Sequence, residues 1–285
     1  MLLNSQQRTK IYNFGLYGDS GSGKTSLAAT APDPVFLLSE RQGFESVRSA
    51  CERMKRPLPP VFLISTRDDL ARAVKALQSA KPIEELCATF GSRDDAKQFA
   101  YAVPKTVVLD SLTDMMQMIW DHMIEVAPPK NAKDGLPDMM RYWVPMKERG
   151  LNVIRMFRDL PFHTVYLCLK EDKEIGEGDD KQRVIQPMMP MRGMASMLSA
   201  ACNAVGMVRI QRVHAKEKEM DLRRWVQFAA PDNTLVKPLR PLADKEGVNM
   251  TAWIAKLDGD GEPTKTRTKK TTATTDASEN GGDDV

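Results

Sequence analysis

Gly18-Asp-Ser-Gly-Ser-Gly-Lys24-Thr25 is the stretch of the sequence that decides the fold. It matches the pattern G-x-x-x-x-G-K-[ST], in which a glycine-rich loop surrounds phosphate oxygens with backbone N–H groups. The mostly apolar residues 11–17 before it predict a buried strand, and residues 26–30 after it can continue a helix until Pro32. The loop therefore lies between a strand and a helix, the context in which this pattern predicts a nucleotide site.

Each residue type in the loop has a chemical reason to be there. Glycines allow backbone angles that let successive N–H groups curl round a phosphate at the positive end of the next helix. Lys24 would reach the β- and γ-phosphates, and the Thr25 hydroxyl would be a ligand of Mg²⁺. ATP and Mg²⁺ are therefore the expected cofactors, and the alternative is a chance Gly/Ser turn. The predicted nucleotide-binding residues are Gly18, Asp19, Ser20, Gly21, Ser22, Gly23, Lys24, Thr25 and Ser26.

Two carboxylates follow predicted strands. Thr106-Val-Val-Leu-Asp110 predicts a strand that ends in an aspartate, which can hold Mg²⁺ or its water opposite Thr25. Glu40 follows the predicted strand 34–38, and a carboxylate there can orient and deprotonate the water that attacks the γ-phosphate. The alternative for Glu40 is a surface glutamate at a strand end.

Cations near later strands are further candidates. Lys170 follows the predicted strand 163–169 and could sense the γ-phosphate for the next segment, residues 172–193. That segment carries both basic and acidic residues, so it is either a nucleic-acid contact or a solvated hairpin. Lys237 and Arg240 lie on a predicted strand at 234–240, from which they could reach a neighbouring subunit's γ-phosphate as catalytic cations, or serve as ordinary surface charge.

Composition limits the classes of protein. The 285 residues carry a formal net charge of +3, so a uniformly basic DNA-coating protein is excluded. The four cysteines form no C-x-x-C pair and indicate buried thiols in a reducing compartment. No apolar run approaches membrane-spanning length, and no signal-peptide core opens the chain. We expect a protein of the cytoplasm that does not bind membranes.

The order of elements predicts the fold class. Strands alternate with helices, which is typical of an α/β fold with a mainly parallel sheet and helices on both faces. A late pair of strands, 205–213 and 222–229, predicts an antiparallel extension. One domain is expected over residues 1–257. Residues 258–285, a Thr/Lys stretch followed by an acidic one, are expected to be disordered, either as a solubilising tail or as a docking peptide.

The motifs resemble a known family in their order. The phosphate loop, Glu40 in Leu-Leu-Ser-Glu-Arg-Gln-Gly43, Val-Val-Leu-Asp110-Ser111 and strand 163–169 running into Lys170 are similar to the RecA/KaiC-type P-loop ATPase core. More narrowly, roughly residues 11–257 resemble phage nucleotide-binding proteins related to the Sak-type single-strand-annealing ATPases. In a phage-encoded protein, the compartment would be the cytoplasm of the bacterial host.

The resemblance implies a RecA-like ATPase that oligomerises as a ring or filament, binds single-stranded DNA and promotes annealing or recombination, often beside a single-strand-binding protein. Carried over to this sequence, it gives phosphate and metal binding to Lys24 and Thr25, support of Mg²⁺ to Asp110 and activation of water to Glu40. Two alternatives stay open: an ATP-dependent loader or motor that acts on a replication protein, and a nucleotide-gated scaffold with negligible hydrolysis.

Overall fold

A mainly parallel sheet forms the centre of the protein. The computed structural model describes residues 10–126, 142–175, 181–191, 193–214, 220–229 and 233–259. The sheet runs in the order β3-β2-β4-β5-β1-β7-β8-β9, and β6 pairs with β5. Its strands are β1 (Asn13–Gly18), β2 (Pro34–Leu38), β3 (Val61–Leu63), β4 (Thr106–Asp110), β5 (His163–Ile175), β6 (Gln182–Pro187), β7 (Ala204–His214), β8 (Met220–Gln227) and β9 (Lys245–Glu246).

Helices cover both faces of this sheet. One apolar cluster packs α3 to α7 against the sheet, and a second packs α1, α2 and α8 against its other face. Strands β1 to β5 and β7 run parallel to one another, whereas β6 pairs antiparallel with β5, and β8 and β9 extend the sheet antiparallel beyond β7. The predicted α/β class with a late antiparallel extension is therefore confirmed. The helices are α1 (Lys24–Ala28), α2 (Gln42–Met54), α3 (Arg67–Leu77), α4 (Pro82–Phe90), α5 (Leu112–Val126), α6 (Trp143–Arg158), α7 (Met194–Ala201) and α8 (Met250–Asp258), with a 3-10 turn at Arg93–Gln98.

Strand β1 shows why the sheet forms where it does. All six of its residues are buried, because β5 and β7 pair with it on either side and helices cover both of its faces. Phe14 and Leu16 point into the cluster with α1, α2 and α8, while Tyr17 points into the other. A parallel strand that is buried on both faces is continuously apolar, which is the pattern that made it predictable.

Local capping positions the helix after β3. The Thr66 hydroxyl accepts the Asp69 N–H at 3.2 Å, and the Asp69 carboxylate accepts the Thr66 N–H at 2.9 Å. This reciprocal capping box satisfies two backbone donors that have no partner within the helix.

The structure extends one predicted strand and corrects another. Strand β5 continues past Leu169 to Ile175 and pairs with β6, so the residues that follow form a hairpin. The predicted strand at 234–240 is wrong: Thr234 makes a single bridge with Ile185, and Lys237 makes another with Val205. Pro238 lies in this segment and has no backbone N–H, so a continuous ladder cannot form.

Most of the predicted tail lies outside the described residues, since the description ends at 259. All four cysteines are buried free thiols, as expected. Within the described ranges, no helix is both long enough and apolar enough to span a bilayer.

Candidate nucleotide-binding site

The glycine-rich loop leaves the carboxyl end of β1 and enters α1. Gly21 and Gly23 have φ of 72° and 96°, the left-handed region that glycine occupies without a steric penalty. Gly18 is required for a different reason: a β-carbon there would lie 2.8 Å from the carbonyl oxygen of Val208 on β7. The loop's shape therefore depends on glycine both at its turns and where it approaches the neighbouring strand.

Lys24 is held inside this loop. Its side chain is buried, and Nζ donates to the carbonyl oxygens of Gly18 at 3.0 Å and of Asp19 at 2.9 Å. Burial lowers the pKa of Lys24, while the charge of Asp110 is the largest influence opposing that shift. The ammonium thus lies among the loop's backbone groups and faces a carboxylate.

Thr25 meets Asp110 across the sheet. Its hydroxyl donates to Oδ2 of Asp110 at 2.7 Å. Burial raises the pKa of Asp110, and the hydrogen bond from Thr25 and the charge of Lys24 oppose this. A buried carboxylate beside a hydroxyl supplies the hard oxygen donors that Mg²⁺ prefers, so these two residues fit a magnesium site.

A second carboxylate lies next to Asp110 and was missed by sequence reasoning. Asp114, in the first turn of α5, accepts from the hydroxyls of Ser111 and, at 3.2 Å, Ser39. The Ser39 hydroxyl in turn accepts the Ser111 N–H at 3.0 Å. This network ties the ends of β2 and β4 together. Its signal in the sequence was the spacing Ser-x-x-Asp at residues 111–114, which is typical of a helix start.

Glu40 lies on the same edge of the sheet. Strand β2 pairs with β4 so that Leu38 is opposite Asp110, and Glu40 follows two residues later with an exposed side chain. The negative charge of Glu40 contributes to the raised pKa of Asp110. The structure therefore places both predicted carboxylates at the same edge of the sheet, with Asp110 in direct contact with the phosphate loop through Thr25.

Lys170 connects the loop to the β5–β6 hairpin. Its ammonium lies 2.8 Å from Oδ1 and 3.0 Å from Oδ2 of Asp19. Lys170 is also the first residue of β5 that pairs with β6, opposite Pro187. The second residue of the phosphate loop is thus joined directly to the base of the hairpin.

The loop serines have different surroundings. Ser22 is buried, and its hydroxyl has no hydrogen-bond partner among the described residues. Ser26 accepts from the guanidinium of Arg53 on α2 at 3.1 Å, and Ser20 is exposed.

The predicted cations Lys237 and Arg240 do not join this cluster within the chain. Lys237 donates to the carbonyl oxygens of Ser199 at 3.2 Å and Cys202 at 2.6 Å, at the end of α7. Cys202 precedes β7, so this contact lies at the amino end of the parallel strands, opposite the phosphate loop. Arg240 has an exposed side chain that pairs with Asp244 at 3.3 Å.

Two solved structures to which this chain is weakly similar are distant from it in sequence. One is an ATPase from the type III secretion system of pathogenic bacteria, with 13% identity and a TM-score of 0.38; the match covers 70% of this chain and 51% of that one. Another is the flagellar accessory protein FlaH from Methanocaldococcus jannaschii, with 6% identity and a TM-score of 0.38, covering 84% of this chain and 87% of that one. The chain thus spans about half the length of the secretion ATPase it matches. No curated protein sequence matches it.

A family model gives the more direct comparison. The AAA_24 model, described as an AAA domain, matches residues 10–235, which begin just before β1 and include the loop, Asp110 and both arms of the β7–β8 hairpin. The matched region contains the whole set of converging side chains described above. The chain therefore belongs to the AAA_24 family of AAA domains and has the P-loop ATPase architecture.

Proposed function

We propose that this protein hydrolyses ATP to ADP and phosphate in a Mg²⁺-dependent reaction. The observation that carries the proposal is the 2.7 Å contact between Thr25 and Asp110 beside the buried Lys24. The ammonium and the hydroxyl of two consecutive loop residues meet a carboxylate that lies 85 positions later in the sequence. That is the set of groups needed to bind a triphosphate and its metal.

Each residue then has a defined task. The N–H groups of residues 18–26 and the ammonium of Lys24 bind the phosphates, while Thr25 and Asp110 hold Mg²⁺. When bound, the metal would neutralise charge on the phosphate oxygens. Glu40 orients the attacking water and accepts its proton as the water oxygen bonds to the γ-phosphorus and the bond from that phosphorus to the β–γ bridging oxygen breaks.

We further propose that the protein binds single-stranded DNA and anneals it, and that ATP hydrolysis is coupled to this activity. The β5–β6 hairpin supports this, because it starts at Lys170 beside the loop and carries exposed Lys181 and Arg183. Arg183 is paired with Asp172 at 2.6 Å, so DNA phosphates would compete with that carboxylate. Binding should therefore weaken steeply as salt is raised.

A homo-oligomer, ring or filament, is the form in which we propose that the protein acts. Arg240 is the better placed of the two late cations to reach a neighbour's γ-phosphate, because its side chain is exposed while Lys237 is held at the end of α7. A single-strand-binding protein is the proposed partner on DNA. Both proposals follow from the resemblance stated above.

The deciding experiment measures ATP hydrolysis with and without a single-stranded oligonucleotide. Wild type, Lys24→Ala and Glu40→Gln are compared, and oligonucleotide binding is followed by fluorescence anisotropy at low salt. We expect stimulation by DNA in wild type, loss of ATP binding in Lys24→Ala, and retained ATP binding without turnover in Glu40→Gln. Absence of DNA binding, with or without nucleotide, would refute the DNA proposal and favour a loader that acts on a protein. Unchanged low turnover in Glu40→Gln would favour the nucleotide-gated scaffold.

A further inference from the structure

Arg224 of β8 lies against the phosphate loop, although it is far from the loop in sequence. A β-carbon built on Gly23 would lie 3.2 Å from both Cδ and Nε of Arg224. The guanidinium therefore stands directly beside the residue that precedes Lys24. No sequence motif marks Arg224, since only the folded β7–β8 hairpin brings it there.

The sheet order places Arg224 on the flank opposite Asp110. Strand β4 with Asp110 is two strands from β1 on one side, and β8 with Arg224 is two strands from β1 on the other. Val226 is buried in the cluster with α1, and side chains two residues apart share a face, so Arg224 lies on the α1 face. β1 ends its pairing with β7 at Met207, whereas Arg224 pairs with Ile210 beyond it. Arg224 thus lies beyond the carboxyl end of β1, beside the loop that follows this strand.

The charge of Arg224 is available for a ligand. Its side chain is exposed, and among the described residues none forms a hydrogen bond or ion pair with it. The adjacent Arg223 is also exposed but lies on the opposite face of β8, because successive side chains alternate. Only one of the two neighbouring arginines therefore faces the loop.

We propose that Arg224 binds the α- and β-phosphates of the nucleotide from within the same chain, and this rests on the proposed nucleotide binding. The γ-phosphate belongs on the side of Asp110 and Glu40, so the phosphates nearest Arg224 are the two that ATP and ADP share. A guanidinium can bind two phosphate oxygens at once through its planar N–H groups. Arg224 thus stabilises substrate and product complexes alike, which raises affinity without accelerating the chemical step.

The test measures dissociation constants for ATP and ADP with Mg²⁺, and steady-state hydrolysis, in wild type, Arg224→Gln, Arg224→Lys and Arg223→Gln. We expect Arg224→Gln to weaken ATP and ADP binding equally, by about tenfold or more, the loss typical of one charged hydrogen-bonding group. KM should rise by a similar factor while kcat stays within about twofold. Arg224→Lys should fall between, because lysine keeps the charge but not the planar geometry, and Arg223→Gln should behave as wild type.

Several outcomes would overturn the inference. Affinities within twofold of wild type in Arg224→Gln would do so, as would weakening confined to ATP, which would place the guanidinium at the γ-phosphate. A fall in kcat at unchanged affinity would also contradict it. Circular dichroism of each variant checks folding, and Arg224→Lys provides the test if the glutamine variant does not fold. Failure of wild type itself to bind nucleotide would instead refute the proposed function, and the inference with it.

Discussion

The ammonium of Lys170 lies 2.8 Å from the carboxylate of Asp19, so that an ion pair joins the phosphate loop to the β5–β6 hairpin. The carboxylate is largely exposed and the ammonium partly so, with side-chain exposures of 60% and 26%. Exposed pairs of this kind contribute roughly 0.2–1 kcal/mol to folding. The pair is therefore of little consequence for stability, yet it is a direct contact between a loop that would bind ATP and a hairpin that would bind DNA.

Lys170→Gln should weaken the response of ATP hydrolysis to DNA. Without the ion pair, a change at the loop is no longer passed through Asp19 to the hairpin, so the ratio of DNA-stimulated to unstimulated rates should fall toward one. The double variant Lys170→Asp/Asp19→Lys should recover part of the ratio, because it restores the attraction with reversed charges. Lys105→Gln serves as the control, since it removes another exposed pair, with Asp33 at 3.1 Å, at the amino end of β4. If Lys170→Gln keeps the wild-type ratio of stimulated to unstimulated rates, the ion pair does not couple the phosphate loop to the hairpin.

Asp110→Asn should separate stability from activity. Burial raises the pKa of Asp110, which means that the folded protein disfavours the charged carboxylate near neutral pH. Asparagine removes that charge and keeps an oxygen for Thr25, so the free energy of unfolding without nucleotide should rise. Hydrolysis should fall by about 10²-fold, the size expected when one fixed charged group at the reacting phosphate is lost. Urea unfolding and ATPase assays over a range of Mg²⁺ concentrations measure both; hydrolysis at the wild-type rate would contradict a metal-binding role.

Gly18→Ala should damage the loop through a steric clash. The new methyl group would lie 2.8 Å from the carbonyl oxygen of Val208 and 2.9 Å from Oγ of Ser22, and the first of these atoms is backbone that cannot rotate away. Overpacking of this kind costs about 1–3 kcal/mol, and the loop must shift from β7 to relieve it. The midpoint temperature of thermal unfolding and the affinity for nucleotide should both fall. Gly247→Ala is the matched control, because a β-carbon there meets nothing within 4 Å; equal behaviour of the two variants would refute the clash.

The strands of the sheet could be predicted because the signal for each strand lies within its own short stretch of sequence. β2 and β4 have the predicted bounds, Pro34–Leu38 and Thr106–Asp110, since a parallel strand buried on both faces is a short continuous apolar run. The position of Asp110 followed from the same run, as a carboxylate that ends a strand in a P-loop protein. Segment 234–240 misled the prediction because its backbone makes only the single bridges at Thr234 and Lys237 rather than a ladder, and the Lys237 ammonium binds carbonyl oxygens at the end of α7.

The rest of the site depends on contacts between distant segments. Arg224 reaches Gly23 only because β8 folds back along β7, and nothing in its own neighbourhood of the sequence indicates a ligand. The position of Lys237 could not be predicted for the same reason. Its ammonium binds the carbonyl oxygens of Ser199 and Cys202, and nothing near Lys237 in the sequence indicates these partners. Sequence patterns identify residue types at strand ends, whereas the partner of an isolated cation is fixed by tertiary structure.

The buried surroundings of His163 lead us to expect that the stability of the fold depends on pH. Its Nδ1 accepts the Tyr12 N–H at 3.0 Å, and the two rings stack with centroids 5.6 Å apart. Burial lowers the pKa of His163 from the usual 6.5, with the charge of Asp258 opposing. The fold therefore favours neutral imidazole, and the unfolded chain takes up the proton first as pH falls. The stability from this group is complete above about pH 6.5 and is lost as pH falls through the folded pKa.

His163→Asn should flatten this dependence. The asparagine oxygen can still accept the Tyr12 N–H but does not titrate, so the variant should lose less free energy of unfolding between pH 7.5 and pH 5 than wild type does. Its absolute stability at pH 7.5 should be lower, because the stacked ring is gone. Urea unfolding at a series of pH values measures the slope. If His163→Asn and wild type lose stability in parallel, the acid sensitivity of the fold originates elsewhere, and the buried imidazole is not its source.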